Sequence, residues 1–322
     1  MKPLTLEPST LDVGTTPRRR WLHQLAALAL AGPVCAQAWA AAATPVPVVV
    51  SFSILDDLVR QVGGTRVQVH SLVGPGGDAH TYQPRPSDAQ ALKRARLFVI
   101  NGLGFEPWAT RLAQSARYSG VTLVASTGIQ PRHLDDEPAA HDHGHDDPHA
   151  WQDPRNVLRY VDNIAQALSA LDPAGATAYA DRAKAYRAQI LEFDARAETA
   201  LSAIPPTQRK VISSHDAFGY LAARYGITWL AAEGVNPEAE PSARHVAALV
   251  RQIQREKIRA VFVEALRNPR LIRQLSRDAG VTPGPELYAD TLSAADGPAP
   301  TWLAMMEHNL KALRAGMAQN PR

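Results

Sequence analysis

Residues 172–206 read DPAGATAYADRAKAYRAQILEFDARAETALSAIPP. The larger apolar side chains, Tyr179, Tyr186, Ile190, Phe193, Leu201 and Ile204, fall on one face of a helical period. Asp172-Pro173 opens the pattern and Pro205-Pro206 stops it. Roughly thirty residues at 1.5 Å each make a helix of about 45 Å, longer than a small domain is wide. Placed in mid-chain, such a helix is a stiff strut between two lobes.

The flanking sequence fits that reading. Short β-branched runs at 46–52, 67–73, 97–100 and 121–125 alternate with helical patterns at 54–62, 87–94, about 106–116 and 154–171. After the strut the alternation restarts. Strands are expected at 210–213, 227–230 and 260–264, and helices at 218–225, 242–256, 269–279 and 301–316. Strands alternating with helices predict parallel sheets covered on both faces. The expected fold class is α/β, with two lobes, each a mainly parallel sheet flanked by helices, joined by one long rigid helix. The expected division is an export signal at 1–42, an N-terminal lobe at 43–171 with a histidine-rich loop at 133–149, the linking helix at 172–206, and a C-terminal lobe at 207–322.

The N-terminal assignment rests on Arg18-Arg19-Arg20-Trp21-Leu22, an apolar run at 25–34, and Ala38-Trp39-Ala40 as a small-residue cleavage site. The R-R-x-W-L-H pattern resembles a twin-arginine signal with Trp for Phe and His for Lys, which leaves twin-arginine and Sec export both open. The apolar run is short for a membrane span. The chain's one cysteine, Cys35, lies inside this signal behind Val34 rather than a small residue, against a lipid anchor. The mature chain then has no thiol, which removes disulfides, cysteine nucleophiles and thiolate metal sites together. Lys2, Arg18, Arg19 and Arg20 against Glu7 and Asp12 account for two of the formal net +3. What remains is no basic field of the kind nucleic-acid binding needs.

Histidine and carboxylate are left to do any metal chemistry. Four of the eleven histidines fall within nine residues in HDHGHDDPHAWQDP, residues 141–154. His149 stands against an ordered frame of Pro148, Trp151 and Asp153-Pro154, whereas His141, His143 and His145 lie on the tether before it. Ligands of open α/β sheets sit at the carboxyl ends of strands. His80 follows the second strand in GGDAHTYQPRPSD, His215 follows the 210–213 strand in SSHDAFGYL, and Asp290 lies in LYADTLS. With His149, two candidates come from each half, so a site made of all four lies in the cleft between lobes. Spacing alone leaves hydrogen-bonded loop histidines as an equal reading. Asp216 and Glu264 read as ordinary ion-pair partners, Glu106, Glu233 and Glu240 as helix caps or partner contacts, and His70, His133, His245 and His308 as structural or surface residues.

GGDAHTYQPRPSD, DPHAWQDP, SHDAFGYLAARYGI, EAEPSARHVAALVRQI and LYADTLS together resemble the zinc and manganese solute-binding proteins of ABC transporters, the cluster A-I periplasmic binding proteins, over about residues 46–308. The resemblance is nearest to zinc binders of the AztC type. It implies His80, His149, His215 and Asp290 as metal ligands, Zn(II) as bound cargo, an ABC permease as partner, a periplasmic zinc chaperone as a further partner, a monomeric state and a periplasmic location. Three imidazoles and one carboxylate suit zinc, whereas manganese favours more oxygen. Manganese stays the alternative cargo. His141, His143 and His145 are expected to capture zinc transiently, the bland alternative being a solvated acidic loop. Two other classes compete. An exported zinc hydrolase with Asp290 as general base lacks an H-E-x-x-H frame; a surface adhesin on the same fold lacks a convincing lipid cysteine. No enzymatic activity is expected.

Overall fold

The computed structural model describes residues 44–133, 146–234, 242–266 and 268–322. The signal at 1–42, Glu240 and the histidines at 141, 143 and 145 lie outside these described residues.

The first sheet holds β1 (Val46–Phe52), β2 (Val67–Val73), β3 (Leu97–Ile100) and β4 (Val121–Val124), all parallel in the order β2-β1-β3-β4. Val48, Val49 and Val50 of β1 are at most 2% exposed. That continuous apolar run is what a parallel strand covered on both faces needs. Helix α1 (Ser53–Gly63) buries Ile54, Leu55, Leu58, Val59 and Val62 as one stripe. It stops where Gly64 takes φ +55°, a conformation that costs glycine little. Helices α2 (Pro86–Arg94), α3 (Ala109–Ser115) and α4 (Pro154–Leu171) complete the lobe. Asp153 caps α4 by accepting the Arg155 N–H, with Pro154 in the first turn.

The strut is α5 (Ala176–Ser202), 27 residues and so about 40 Å long. Tyr179, Ala183, Tyr186, Ile190, Phe193, Ala197 and Leu201 are its buried apolar stripe, spaced by three or four residues along one face. Asp194, in mid-helix, accepts from Arg155 on one side and from Arg224 and Tyr225 on the other. Burial alone would raise its pKa, but those donors hold its carboxyl below the usual range. The strut is thereby tied to both halves of the chain.

The second half contains β5 (Lys210–His215), α6 (Gly219–Tyr225), β6 (Thr228–Glu233), α7 (Ala243–Glu256), α8 (Arg270–Ala279) and α9 (Trp302–Met317). β5 and β6 pair in parallel. The strand expected at 260–264 is present only as isolated parallel bridges, Ile212 with Val261 and Glu264 with Leu287. Pro283 and Pro285 flank the next segment and supply no N–H, so the ladder thins there. The bridges nevertheless extend β6-β5 by two further lines, the same order as β2-β1-β3-β4. One apolar core runs from β1 through Tyr186, Ile190 and Phe193 to Trp302 and Met317, and a smaller one, around Ile253, Ile258 and Ile272, supports the second half. No helix among the described residues is long and apolar enough to cross a membrane.

Candidate metal centre

Of the four candidate ligands, His215 ends a strand, His149 precedes a short turn, and His80 and Asp290 lie in irregular chain beyond the second strand and the last bridge. β2 ends at Val73, and the Gly77 N–H turns back to the Gly74 carbonyl at 3.0 Å, with Gly76 at φ +75°. That turn carries the chain to His80, whose N–H donates to Asp78 Oδ1 at 2.9 Å. Trp108 Nε1 donates to the Ala79 carbonyl at 2.7 Å and seats the loop on the first lobe. His149 precedes the short turn Ala150–Gln152 that leads to α4. His215 is the last residue of β5. Asp290 lies beyond the last bridge, in chain without helix or strand.

The structure brings these four together. One ligand atom of each lies within 4.8 Å of the others. His80 Nε2 is 3.3 Å from His149 Nε2 and 3.6 Å from Asp290 Oδ2. Asp290 Oδ1 is 3.4 Å from His149 Nε2, and Oδ2 is 3.1 Å from His215 Nε2. The side chains of His149 and His215 are fully buried and that of Asp290 is 2% exposed, whereas His80 is 11% exposed and forms the solvent side. Phe105 stands edge-on to His80, and Trp151 to His149. Aromatic walls of this kind keep water out and lower the local dielectric, which strengthens every charge interaction inside.

Two carboxylates stand behind the imidazoles. Asp147 Oδ1 accepts the His149 backbone N–H at 3.0 Å and lies 2.8 Å from His149 Nδ1. Glu264 Oε1 accepts the His215 backbone N–H at 2.9 Å, and its Oε2 lies against His215 Nδ1. In each ring the outer nitrogen faces a carboxylate, which directs the Nε2 lone pair into the centre. Arg132 Nε approaches the other Asp147 oxygen at 3.8 Å.

The charges are set accordingly. Burial would lower the His215 pKa, but Glu264 and Asp290 outweigh it and push the imidazole up to about 10. Burial would raise Asp290, yet His215 and His149 hold its carboxyl well below the usual range. Burial lowers His80, against the opposing pull of Asp290. Asp147, Glu264 and Asp290 are each at most 2% exposed. Three carboxylates buried this close together call for a compensating cation. A proton on His215 supplies one unit of it, and a divalent ion supplies two.

His70, His133, His245 and His308 stand apart from this cluster. His133 pairs with Asp146 at the surface, His245 faces the Ala231 carbonyl, and His308 faces the Glu286 carbonyl. Glu264 does form an ion pair, with His215, and both side chains are fully buried. It ends the expected 260–264 strand, so the strand-end rule that selects His215 also points to it. Asp147 was legible only as a loop carboxylate, although D-x-H spacing lets a side chain fold back on the following ring. Glu106 is buried too, accepting from Ser51 and from the Asn101 and Gly102 N–H groups. It ties down the turn after β3.

A family model described as ZnuA, zinc-uptake complex component A periplasmic, matches residues 48–316. The chain belongs to this family. The ZnuA family comprises metal solute-binding proteins, which bind and carry rather than catalyse. Two curated relatives are each 33% identical over 272 residues: the iron-binding protein YfeA of Yersinia pestis, covering 84% of this chain and 86% of its own, and the manganese-binding lipoprotein MntA of Halalkalibacterium halodurans, at 84% and 88%. The structure of the periplasmic zinc-binding protein TroA from Treponema pallidum superposes with a TM-score of 0.79 at 27% identity, covering 85% of this chain and 99% of its own. The names of these three relatives carry three different metals, so membership of the ZnuA family leaves the metal to be argued from the site.

Proposed function

We propose that this protein captures Zn(II) through His80, His149, His215 and Asp290 and delivers it to the permease of an ABC uptake system. The observation that carries the reading is the donor set: three imidazoles and one carboxylate whose ligand atoms lie within 4.8 Å of one another, with His80–His149 and the three imidazole contacts to one or other Asp290 oxygen at 3.1–3.6 Å. Four donors about 2.0–2.1 Å from a tetrahedral zinc ion lie about 3.3 Å from one another. Four protein donors fill that tetrahedron and leave no position for an activated water, which disfavours a hydrolase. Manganese prefers six ligands and more oxygen, and it is the alternative cargo that the likeness to MntA favours.

The finer parts of the proposal follow from the sequence. An AztC-type zinc binder is exported on the signal at 1–42 and works as a monomer in the periplasm. His141, His143 and His145 capture zinc transiently and pass it inward, alone or from a zinc chaperone. The two ends of that loop meet at the His133–Asp146 bridge, a short distance along the chain from His149. Deleting residues 139–146 is then expected to slow zinc loading while leaving affinity similar; unchanged transfer kinetics would remove the loop from the mechanism.

The test of the cargo is a competition titration of metal-stripped protein with zinc and manganese against a chromophoric chelator. Tight one-to-one zinc binding with far weaker manganese binding is expected. Equal affinity for manganese would reassign the cargo.

A further inference from the structure

Asp290 sits in a stretch, 288–300, with neither helix nor strand. No backbone ladder holds its carboxylate in place, so side chains from elsewhere must. Asn309 of α9 grips both backbone groups of Tyr288, accepting its N–H at 3.0 Å and donating to its carbonyl at 2.7 Å. Thr291 Oγ1 accepts the Gly76 N–H at 2.9 Å. Between these ties, the Ala289 carbonyl accepts two N–H groups, from Trp151 Nε1 at 2.9 Å and Gln152 Nε2 at 2.8 Å. Both donor residues are fully buried. They lie two and three residues after His149, and the carbonyl they grip is directly before Asp290.

We infer that Gln152 is a positioning residue of the metal centre: its amide fixes the Asp290 carboxylate relative to His149, and so sets how long the metal is held. The inference rests on the zinc reading above. The link between the two ligands is short, running through three residues of chain, one hydrogen bond and one peptide unit. A single donor leaves a carbonyl free to swing about that bond. Two donors from adjacent residues fix its direction, and with it the start of the Asp290 side chain. The donor pair is itself anchored, because Trp302 Nε1 of α9 donates to the Trp151 carbonyl at 3.0 Å.

The chemistry of Gln152 points the same way. Its Oε1 is buried without a hydrogen-bond partner among the described residues. An idle buried acceptor destabilises a fold, and leucine would fill a similar volume without one. A glutamine kept at such a position is explained by what its N–H does. A local cost at a position that serves a site is one reason for such an exception.

The experiment uses Gln152→Leu and Gln152→Met in metal-stripped and zinc-loaded protein. Zinc Kd is measured by chelator competition, zinc release by stopped flow, and Tm without metal. The expected result is a Kd about 10- to 100-fold weaker, the range for outer-shell partners of metal ligands. Most of the change should appear as faster release, with the metal-free Tm equal to or above wild type. Kd and release within twofold of wild type in both variants would overturn the assignment. So would a metal-free Tm that falls in both variants together with affinity, since Gln152 would then merely support the fold. Wild-type protein that takes up no zinc would overturn the zinc reading itself, and the positioning role with it.

Discussion

Asp147 Oδ1 lies 2.8 Å from Nδ1 of His149, with the two side chains 1% and 0% exposed. The same oxygen accepts the His149 backbone N–H at 3.0 Å. One carboxylate thus fixes both the ring and the main chain of a buried candidate ligand. Asp147→Asn keeps the shape and removes the charge, which lowers the basicity of the imidazole. Zinc affinity is expected to fall about 10- to 100-fold, while Asp146→Asn, at the more exposed neighbouring carboxylate, changes it little. Chelator competition on the two variants checks this, and equal effects would deny Asp147 its special role.

Asp290 touches all three imidazoles, and its loss is expected to be the most damaging single change in the site. Asp290→Ala should weaken zinc binding by on the order of 100-fold or more, about 2.7 kcal/mol at least. The loss can be read in thermal melts. Zinc at 100 times the wild-type Kd stabilises by about 2.7 kcal/mol, and the same concentration gives the variant only about 0.4 kcal/mol. A variant whose zinc-induced Tm rise equals that of wild type would remove Asp290 from the ligand set.

Glu106, which is not among the candidate ligands, gives the fold a pH signature of its own. Burial pushes its carboxyl from 4.5 up to about 7, against the donors from Ser51, Asn101 and Gly102. Below about pH 4.5 folded and unfolded chains both hold the proton, and nothing is lost. Between there and pH 7 the folded chain holds more proton than the unfolded one, so stability falls as pH rises, by about 1.4 kcal/mol per unit. Urea unfolding of metal-free protein at pH 5 and pH 8 is expected to show this fall in wild type. Glu106→Gln should remove its share of the fall and leave the part that the raised His215 contributes above about pH 6.5; parallel curves for the two proteins would contradict the shift.

Ile190, fully buried in mid-strut, reports on the frame rather than the site. Ile190→Ala is expected to cost about 2–5 kcal/mol in urea unfolding. Zinc affinity of the folded variant should stay within a few-fold of wild type, because the ligands hang from strand ends and caps. A large affinity loss at unchanged stability would mean that the strut tunes the site directly.

The sequence by itself determined the periodic elements. The α5 stripe, the valine run of β1 and the Asp153-Pro154 opening of α4 are local signals, because side-chain period and cap chemistry act within a few residues. The same logic placed His80, His149 and His215 at element ends. Tertiary structure alone decided what stands behind them. Glu264 meets His215 across 49 residues and Gln152 meets Ala289 across 137, and neither pairing leaves a periodic trace. The thinned strand at 260–264 is the matching miss. Its apolar run satisfies the local pattern, but the facing segment, with Pro283 and Pro285, donates from Gly284 and Leu287, three residues apart where a regular ladder steps by two. Local chemistry fixes what each segment is, and only the packing of distant segments fixes which polar atoms are left to hold one another and a metal.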